Sequence, residues 1–507
     1  MLRRIIALGL AIPLTVSTLG LSLGLGFATG AAHAAGEPAV QILDWQPCSD
    51  SNAPLVLCAR LERPLDRSRP SGPKVSIAMA KVPATGTPQE RIGTLFMNPG
   101  GPGGAGAQAI GLANLMPEEL RDRFDFVSWD PRGIGQTTPA IKNCTGQMPT
   151  RPATGPVNWQ QVLNERIVEL TAVNNACIEG NREVIQNAGT VDVAHDLDAM
   201  RRAVGDDALS FWGISYGTMI GSTYAQLFPD KVRALVLDGN MNPQTTLLEL
   251  ASGSSATDDS IGYFFEVHPQ LKPMFDQVMA SLDRTVLQLP GGDEFTRWDL
   301  ADVTAGGVAS TFSWGTVSTA IRTAHAALFA SRQEQQAALQ ALADDLDLRS
   351  PAQDSNTGIF SAVLCQDFRA RPGRAAMTKP LQRAVAQGPI YGGSLAVNYL
   401  ATCSGYKGFP AQPVPKPKRY GPVVPGLVLN ATRDAQTPYA WAVNMARTYP
   451  SMRMVTSPSG LHGTFPARPR SVYQRHSERI SSQWRRARPR CGLPVPAATR
   501  AIAWRSP

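Results

Sequence analysis

Leu209-Ser-Phe-Trp-Gly-Ile-Ser215-Tyr-Gly-Thr-Met-Ile-Gly-Ser-Thr-Tyr-Ala-Gln-Leu227 is the stretch from which the fold is read. Its apolar start predicts a buried strand, and Thr218 to Leu227 predicts a helix, with Gly213-Ile-Ser215-Tyr-Gly217 as a sharp turn between them. A serine nucleophile needs a strained turn that lifts its Oγ off the sheet, and small neighbours let strand and helix approach closely enough to make one. In a chain with 45 glycines the G-x-S-x-G pattern alone is weak, so the flanking strand and helix signals carry the reading.

Around this turn, residues 75–82, 93–97, 124–129 and 232–237 also predict strands, and 193–204 places Val193, Leu197, Met200 and Val204 on one helical face. The alternation predicts an α/β fold, a mostly parallel sheet with helices on both faces. From about Pro243 to Tyr420 that rhythm gives way to helical stretches such as 273–289 and 333–346, which predicts an inserted helical cap. The strands resume at 426–430 and 452–456, after Pro413-Val-Pro-Lys-Pro417. The expected organisation is an export segment over 1–34, core over 35–242, cap over 243–420 and a second core part over 421–507 that ends in a basic helix.

Arg3-Arg4, an uncharged apolar run over 5–27 and Ala31-Ala-His-Ala-Ala35 have the layout of a secretory signal peptide, so a secreted or periplasmic protein is expected; the same run could also serve as an anchor. Seven cysteines suit an oxidising compartment. Their order suggests 48 with 58, 144 with 177 and 365 with 403, with Cys491 left over. The histidines are scattered and no C-x-x-C occurs, so no metal or other cofactor is expected. The net charge of +8 draws on a run of arginines between Arg468 and Arg490. That run could attract anionic polymers, but no aromatic stacking pattern accompanies it, so a solvated helix face and no nucleic-acid partner are expected.

A serine hydroxyl needs a base to take its proton and a carboxylate to orient that base. On a strand–turn–helix of this kind both follow later in the chain, on loops after strands. His462, in Ser457-Pro-Ser-Gly-Leu-His462-Gly463, is the candidate base; His195 sits in a predicted helix, and His268 and His325 in the cap. Asp434, in Asn430-Ala-Thr-Arg-Asp434-Ala-Gln-Thr-Pro438, is the candidate acid, with Asp238 at the end of the 232–237 strand as its competitor. Two N–H donors must hold the oxyanion. Tyr216 would supply one, and Gly101 or its neighbour Gly100 the other, from Asn98-Pro-Gly-Gly-Pro-Gly-Gly-Ala-Gly106. A phosphate cradle, the rival reading of such glycines, lacks the Lys-Ser/Thr ending here.

Those loops, with Trp129-Asp-Pro-Arg-Gly-Ile-Gly135, Trp45-Gln-Pro-Cys48, Cys58-Ala-Arg-Leu-Glu-Arg-Pro-Leu-Asp66 and Leu364-Cys-Gln-Asp367, resemble the secreted tripeptidyl aminopeptidase branch of the α/β-hydrolases, itself related to proline iminopeptidases. The resemblance spans nearly the whole chain after the export segment. It implies Ser215, Asp434 and His462 as nucleophile, acid and base, and cap acids that hold a substrate's free ammonium. Glu266 and Asp367 are the candidates for that role, among Glu249, Asp258 and Asp259. The chain departs from the family pattern at Ala105, where serine is commoner, and in Ser459-Gly-Leu-His462, where Gly-x-Gly-His is usual. The implied function is a secreted, monomeric serine exopeptidase acting on peptides, without stable membrane insertion after export. A carboxylesterase using the same triad is the alternative, and a catalytically silent envelope-binding protein is a third reading.

Overall fold

The computed structural model describes residues 40–48, 56–146, 151–349, 357–368, 370–417 and 421–465. The export segment, Cys491 and the basic C-terminal helix lie outside them. The sheet begins with a short strand β1 (Gln46–Pro47) paired antiparallel with β2 (Leu57–Pro64), which pairs antiparallel with β3 (Lys74–Val82). After β4 (Gly93–Asn98), α1 (Glu118–Arg123) leads into β5 (Phe124–Trp129), and β4 and β5 run parallel. Two long helices, α2 (Trp159–Gln186) and α3 (Thr190–Ala203), precede β6 (Leu209–Ile214); α4 (Tyr216–Leu227) then joins it to β7 (Val232–Asp238). β4 is buried along its whole length and β6 along all but its last residue, as expected for central strands covered on both faces.

After β7 the chain leaves the sheet. α5 (Leu247–Ser252), α6 (Ala256–Val267) and α7 (Lys272–Leu282) come first. The 273–289 stretch was expected to be helical throughout, but α7 ends at Leu282. Beyond it, β8 (Leu287–Gln288) pairs with β9 (Glu294–Phe295) around Gly291 and Gly292, whose φ values of 102° and 99° make the turn of this hairpin. α8 (Arg297–Val308), α9 (Trp314–Phe329), α10 (Arg332–Arg349), α11 (Thr357–Asp367), α12 (Arg374–Gln387) and α13 (Gly392–Ala401) complete the excursion.

Phe264, Leu271, Val317 and Ile321 centre one apolar core of this insertion, while Ala251, Leu381 and Leu400 pack on Leu163 and Leu170 of α2. Sheet and insertion therefore belong to one compact unit. The chain returns as β10 (Gly426–Ala431), α14 (Tyr439–Thr448) and β11 (Arg453–Ser457), giving a nine-stranded order β1-β2-β3-β5-β4-β6-β7-β10-β11 that is parallel from β5 onward.

Disulfides join Cys48 to Cys58, Cys144 to Cys177 and Cys365 to Cys403, the pairing that chain order suggests. Among the described residues no helix is long and apolar enough to cross a membrane. Arg132, in the turn after β5, is buried and donates to both oxygens of Asp196 on α3, at 2.5 and 2.9 Å, and to the carbonyls of Pro64, Leu65 and Asn187. One guanidinium thus joins β2, the end of α2 and α3, and its removal would leave three carbonyls without this donor and the buried Asp196 carboxylate with only the more distant Arg63, at 3.6 Å. Arg132→Met is expected to lower the unfolding free energy by about 3 kcal/mol in chemical denaturation; a loss below about 1 kcal/mol would show that the pair holds nothing together.

Candidate active site

Ser215 stands between β6 and α4 with φ +58° and ψ −125°, a conformation that non-glycine residues rarely adopt. Both flanking glycines are required by close approach. A Cβ on Gly213 would lie 2.4 Å from the Gly217 carbonyl oxygen, and one on Gly217 would lie 2.7 Å from that of Asn98. The turn is held by Ser215 N–H donating to the Asp238 carbonyl at 2.9 Å, and by Thr218 donating through N and Oγ1 to the Ser215 carbonyl.

The glycine loop after β4 lies directly over this turn: a Cβ on Gly100 would come 2.8 Å from Ser215 Cβ and 3.0 Å from Tyr216 N. Gly100 N–H is taken by Asn98 Oδ1 at 3.0 Å. Gly101, at φ +114°, has no recorded acceptor for its N–H among the described residues, and neither has Tyr216. Of the two glycines weighed for the second oxyanion donor, Gly101 is the one left free.

Asp434 is fully buried. Its Oδ1 accepts from Gln436 N and Thr437 N, both at 2.9 Å, and meets His462 Nδ1 at 2.8 Å. Asn430 fixes this loop by donating through Nδ2 to the Thr437 carbonyl at 3.1 Å. The Thr437 hydroxyl also lies 3.3 Å from His462 Nδ1, a contact whose residue stands in the quoted Asp434–Pro438 motif but had drawn no role. Burial pulls the His462 imidazole down, but the Asp434 charge and hydrogen bond, with Asp238 adding to them, leave it above its ordinary value. The Ser215 and His462 side chains are 8% and 11% exposed, and no hydrogen bond joins them among the described residues. Such contacts commonly tighten only when substrate binds.

Asp238, the competing acid, makes no hydrogen bond to His462 among the described residues. Its carboxylate accepts from Thr464 N and Oγ1 and from Phe465 N, at 2.8–2.9 Å, and so secures the chain just past His462. Burial, against these hydrogen bonds, pushes its pKa up to about 6, with Asp434 adding to the rise.

The two acids expected to hold a substrate ammonium are engaged elsewhere, which corrects that expectation. Asp367 is buried and accepts from Thr190 N at 2.8 Å and Thr190 Oγ1 at 2.6 Å, while Thr190 Oγ1 also meets the Tyr216 hydroxyl; burial pushes Asp367 up to about 7. Glu266 is exposed and pairs with Arg433 at 2.5 Å. Of the others, Asp258 accepts from Ile390, Tyr391 and Gly392 N at the start of α13. Asp259 on α6 has no hydrogen-bonded partner among the described residues; partial burial raises its pKa and Arg433 opposes the rise. Sequence spacing does not report these commitments, because every partner is distant along the chain. His195, the helical alternative, is lowered to about 4 chiefly by burial and packs edge-on against Phe228. No group of three or more His, Cys, Asp or Glu among the described residues could hold a metal ion.

Comparison with known proteins gives two family matches, one described as alpha/beta hydrolase fold over residues 93–284 and one as TAP-like protein over 389–478. The serine protease Hip1 of Mycobacterium tuberculosis is 38% identical over 218 residues, 41% of each chain, and the tripeptidyl aminopeptidase of Streptomyces coelicolor is 35% identical over 223 residues, 43% of this chain and 41% of that one. The matches thus span about two fifths of those relatives' length. A carboxylesterase B of M. tuberculosis is 28% identical over 457 residues, 82% of this chain and 84% of its own. The first family segment carries the Ser215 turn and the second carries the Asp434 and His462 loops, and together with the parallel sheet they show that the chain has the alpha/beta hydrolase fold.

Proposed function

We propose that the chain is an exported serine exopeptidase that removes short peptides from free N-termini. The observation that supports this most is the Asp434–His462 hydrogen bond beside a serine in a strained turn, with the Tyr216 and Gly101 N–H groups lacking an acceptor among the described residues. Asp434 holds the Nδ1 proton, which leaves the Nε2 lone pair to take the Ser215 proton. Ser215 Oγ then bonds to the scissile carbonyl carbon, and the oxygen that becomes negative is held by Tyr216 and Gly101 N–H. As the C–N bond breaks, His462 returns its proton to the departing amine and the acyl group stays on Ser215. Water then attacks with His462 as base, releasing the acid and restoring the serine. Asp259 is the acid we assign to the ammonium, since Glu266 and Asp367 are paired elsewhere. The three disulfides support export to an oxidising compartment.

A carboxylesterase is the second reading, favoured by the relative of that name, whose match covers most of both chains. Turnover of free-amine tripeptide amides, of their N-acetylated forms and of a short-chain p-nitrophenyl ester separates the two. The peptidase reading predicts cleavage of the free-amine amides alone, abolished in Ser215→Ala; turnover of the ester alone would overturn it. Asp259→Asn is expected to raise KM for the free-amine amides at least about tenfold with little change in kcat, the scale of a lost charge-assisted contact.

The base acts only when neutral, and its pKa lies above the ordinary value. The kcat/KM profile should therefore fall as pH drops through a midpoint above about 6.5. In Asp434→Asn that midpoint should move down and kcat should fall about 10⁴-fold. An unmoved midpoint in that variant would separate the acid limb from His462.

A further inference from the structure

The loop that carries His462 is tied to the sheet at its two ends. Arg433 N donates to Ser459 O on one side, and Thr464 and Phe465 bond to Asp238 on the other. Between Ser459 and Thr464, the main-chain hydrogen bonds recorded among the described residues run to the insertion instead. His462 N donates to the carbonyl of Ala309, just past α8, at 2.8 Å, and Ser260 Oγ on α6 donates to the Gly460 carbonyl at 2.6 Å. One turn earlier on α6, Thr257 Oγ1 donates to the carbonyl of Ala435, the residue after Asp434, at 2.8 Å. Ser260 and Thr257 are 1% and 4% exposed, and their spacing puts both on one face of the helix.

Gly460 is packed to match. A Cβ there would come 2.9 Å from Tyr263 Cδ1 and 3.1 Å from Ser260 Oγ, so α6 can reach this carbonyl only over a glycine. At the helix's exposed end, Glu266 pairs with Arg433, next to Asp434.

We infer that α6 is a positioning element for the triad: Thr257 and Ser260 hold the acid and base loops in register, and the insertion is a fixed part of the catalytic frame. Both residues act through loop main chain and touch no reacting atom. The inference rests on the serine-hydrolase reading above. It also goes beyond it, because a cap that only screened substrates would need no bond to the base's own backbone. The insertion cannot swing away as a lid without releasing His462 N and the Gly460 carbonyl, so substrate must enter past a clasped α6.

The test compares Ser260→Ala, Thr257→Val, their double variant and the conservative Thr257→Ser with wild type, measuring kcat, KM and Tm on the best substrate found, with Ser215→Ala as control. Misplacing catalytic groups by a fraction of an ångström is expected to lower kcat about tenfold in each single variant, with KM within about twofold. Thr257→Ser, which keeps the hydroxyl, should retain near-wild-type kcat. Wild-type kcat in the double variant, a loss carried by KM alone, or a fall in Thr257→Ser as deep as in Thr257→Val would each overturn the positioning role. The single variants decide the matter if the double variant does not fold. Turnover that persists in Ser215→Ala would instead sink the serine reading, and this inference with it; an inactive Ser215→Ala beside a fully active double variant would sink the inference alone.

Discussion

The positive φ at Ser215 is the constraint on which the rest of the structure depends. A serine held there carries strain of about 1–3 kcal/mol, and such strain persists only where the surroundings leave the backbone no alternative. Those surroundings come from separate parts of the chain. β6 delivers the turn, Gly213 and Gly217 permit the approach, the Asn98–Gly106 loop closes over it, and the Asp238 carbonyl takes its N–H. The parallel sheet brings these pieces together, since β4, β6 and β7 are neighbours whose C-terminal ends all open on one edge.

Buried carboxylates do most of the positioning around that edge. Asp434, Asp238 and Asp367 are each buried and each receives at least two N–H or O–H donors. A buried carboxylate is tolerable only with such partners, so each fixes the segment that supplies them. Asp434 fixes its own loop and the imidazole. Asp238 fixes the chain after His462, and Asp367 links α11 through Thr190 to the side chain of Tyr216, next to Ser215. Two of the three sit on the sheet and one on the insertion, which agrees with an insertion that shares in building the site.

Much of this was legible before any coordinates, for a physical reason. Strand alternation and the Gly-x-Ser-x-Gly turn are local patterns, so the parallel strands, the Ser215 turn and the loops holding Asp434 and His462 could be read from residue types and order. Asp434 was separable from Asp238 because it lies between serine and histidine beyond the helical stretch. What could not be read were pairings at long separation. Asp367 and Glu266 looked like free acids, and only the fold shows Thr190 and Arg433 against them. The 273–289 helix was overextended because paired glycines at 291 and 292 reverse the chain into a hairpin that apolar periodicity does not signal. Thr257 and Ser260 carried no motif at all, since their acceptors are main-chain carbonyls far along the chain.

The central claim, that Ser215 is an activated nucleophile, is tested most directly by exposing the full-length protein to a fluorophosphonate and mapping the adduct by peptide mass spectrometry. The account predicts one stoichiometric adduct, on the peptide carrying Ser215, lost in His462→Ala, where no base remains to take the hydroxyl proton. No adduct, or an adduct on another residue, would contradict it.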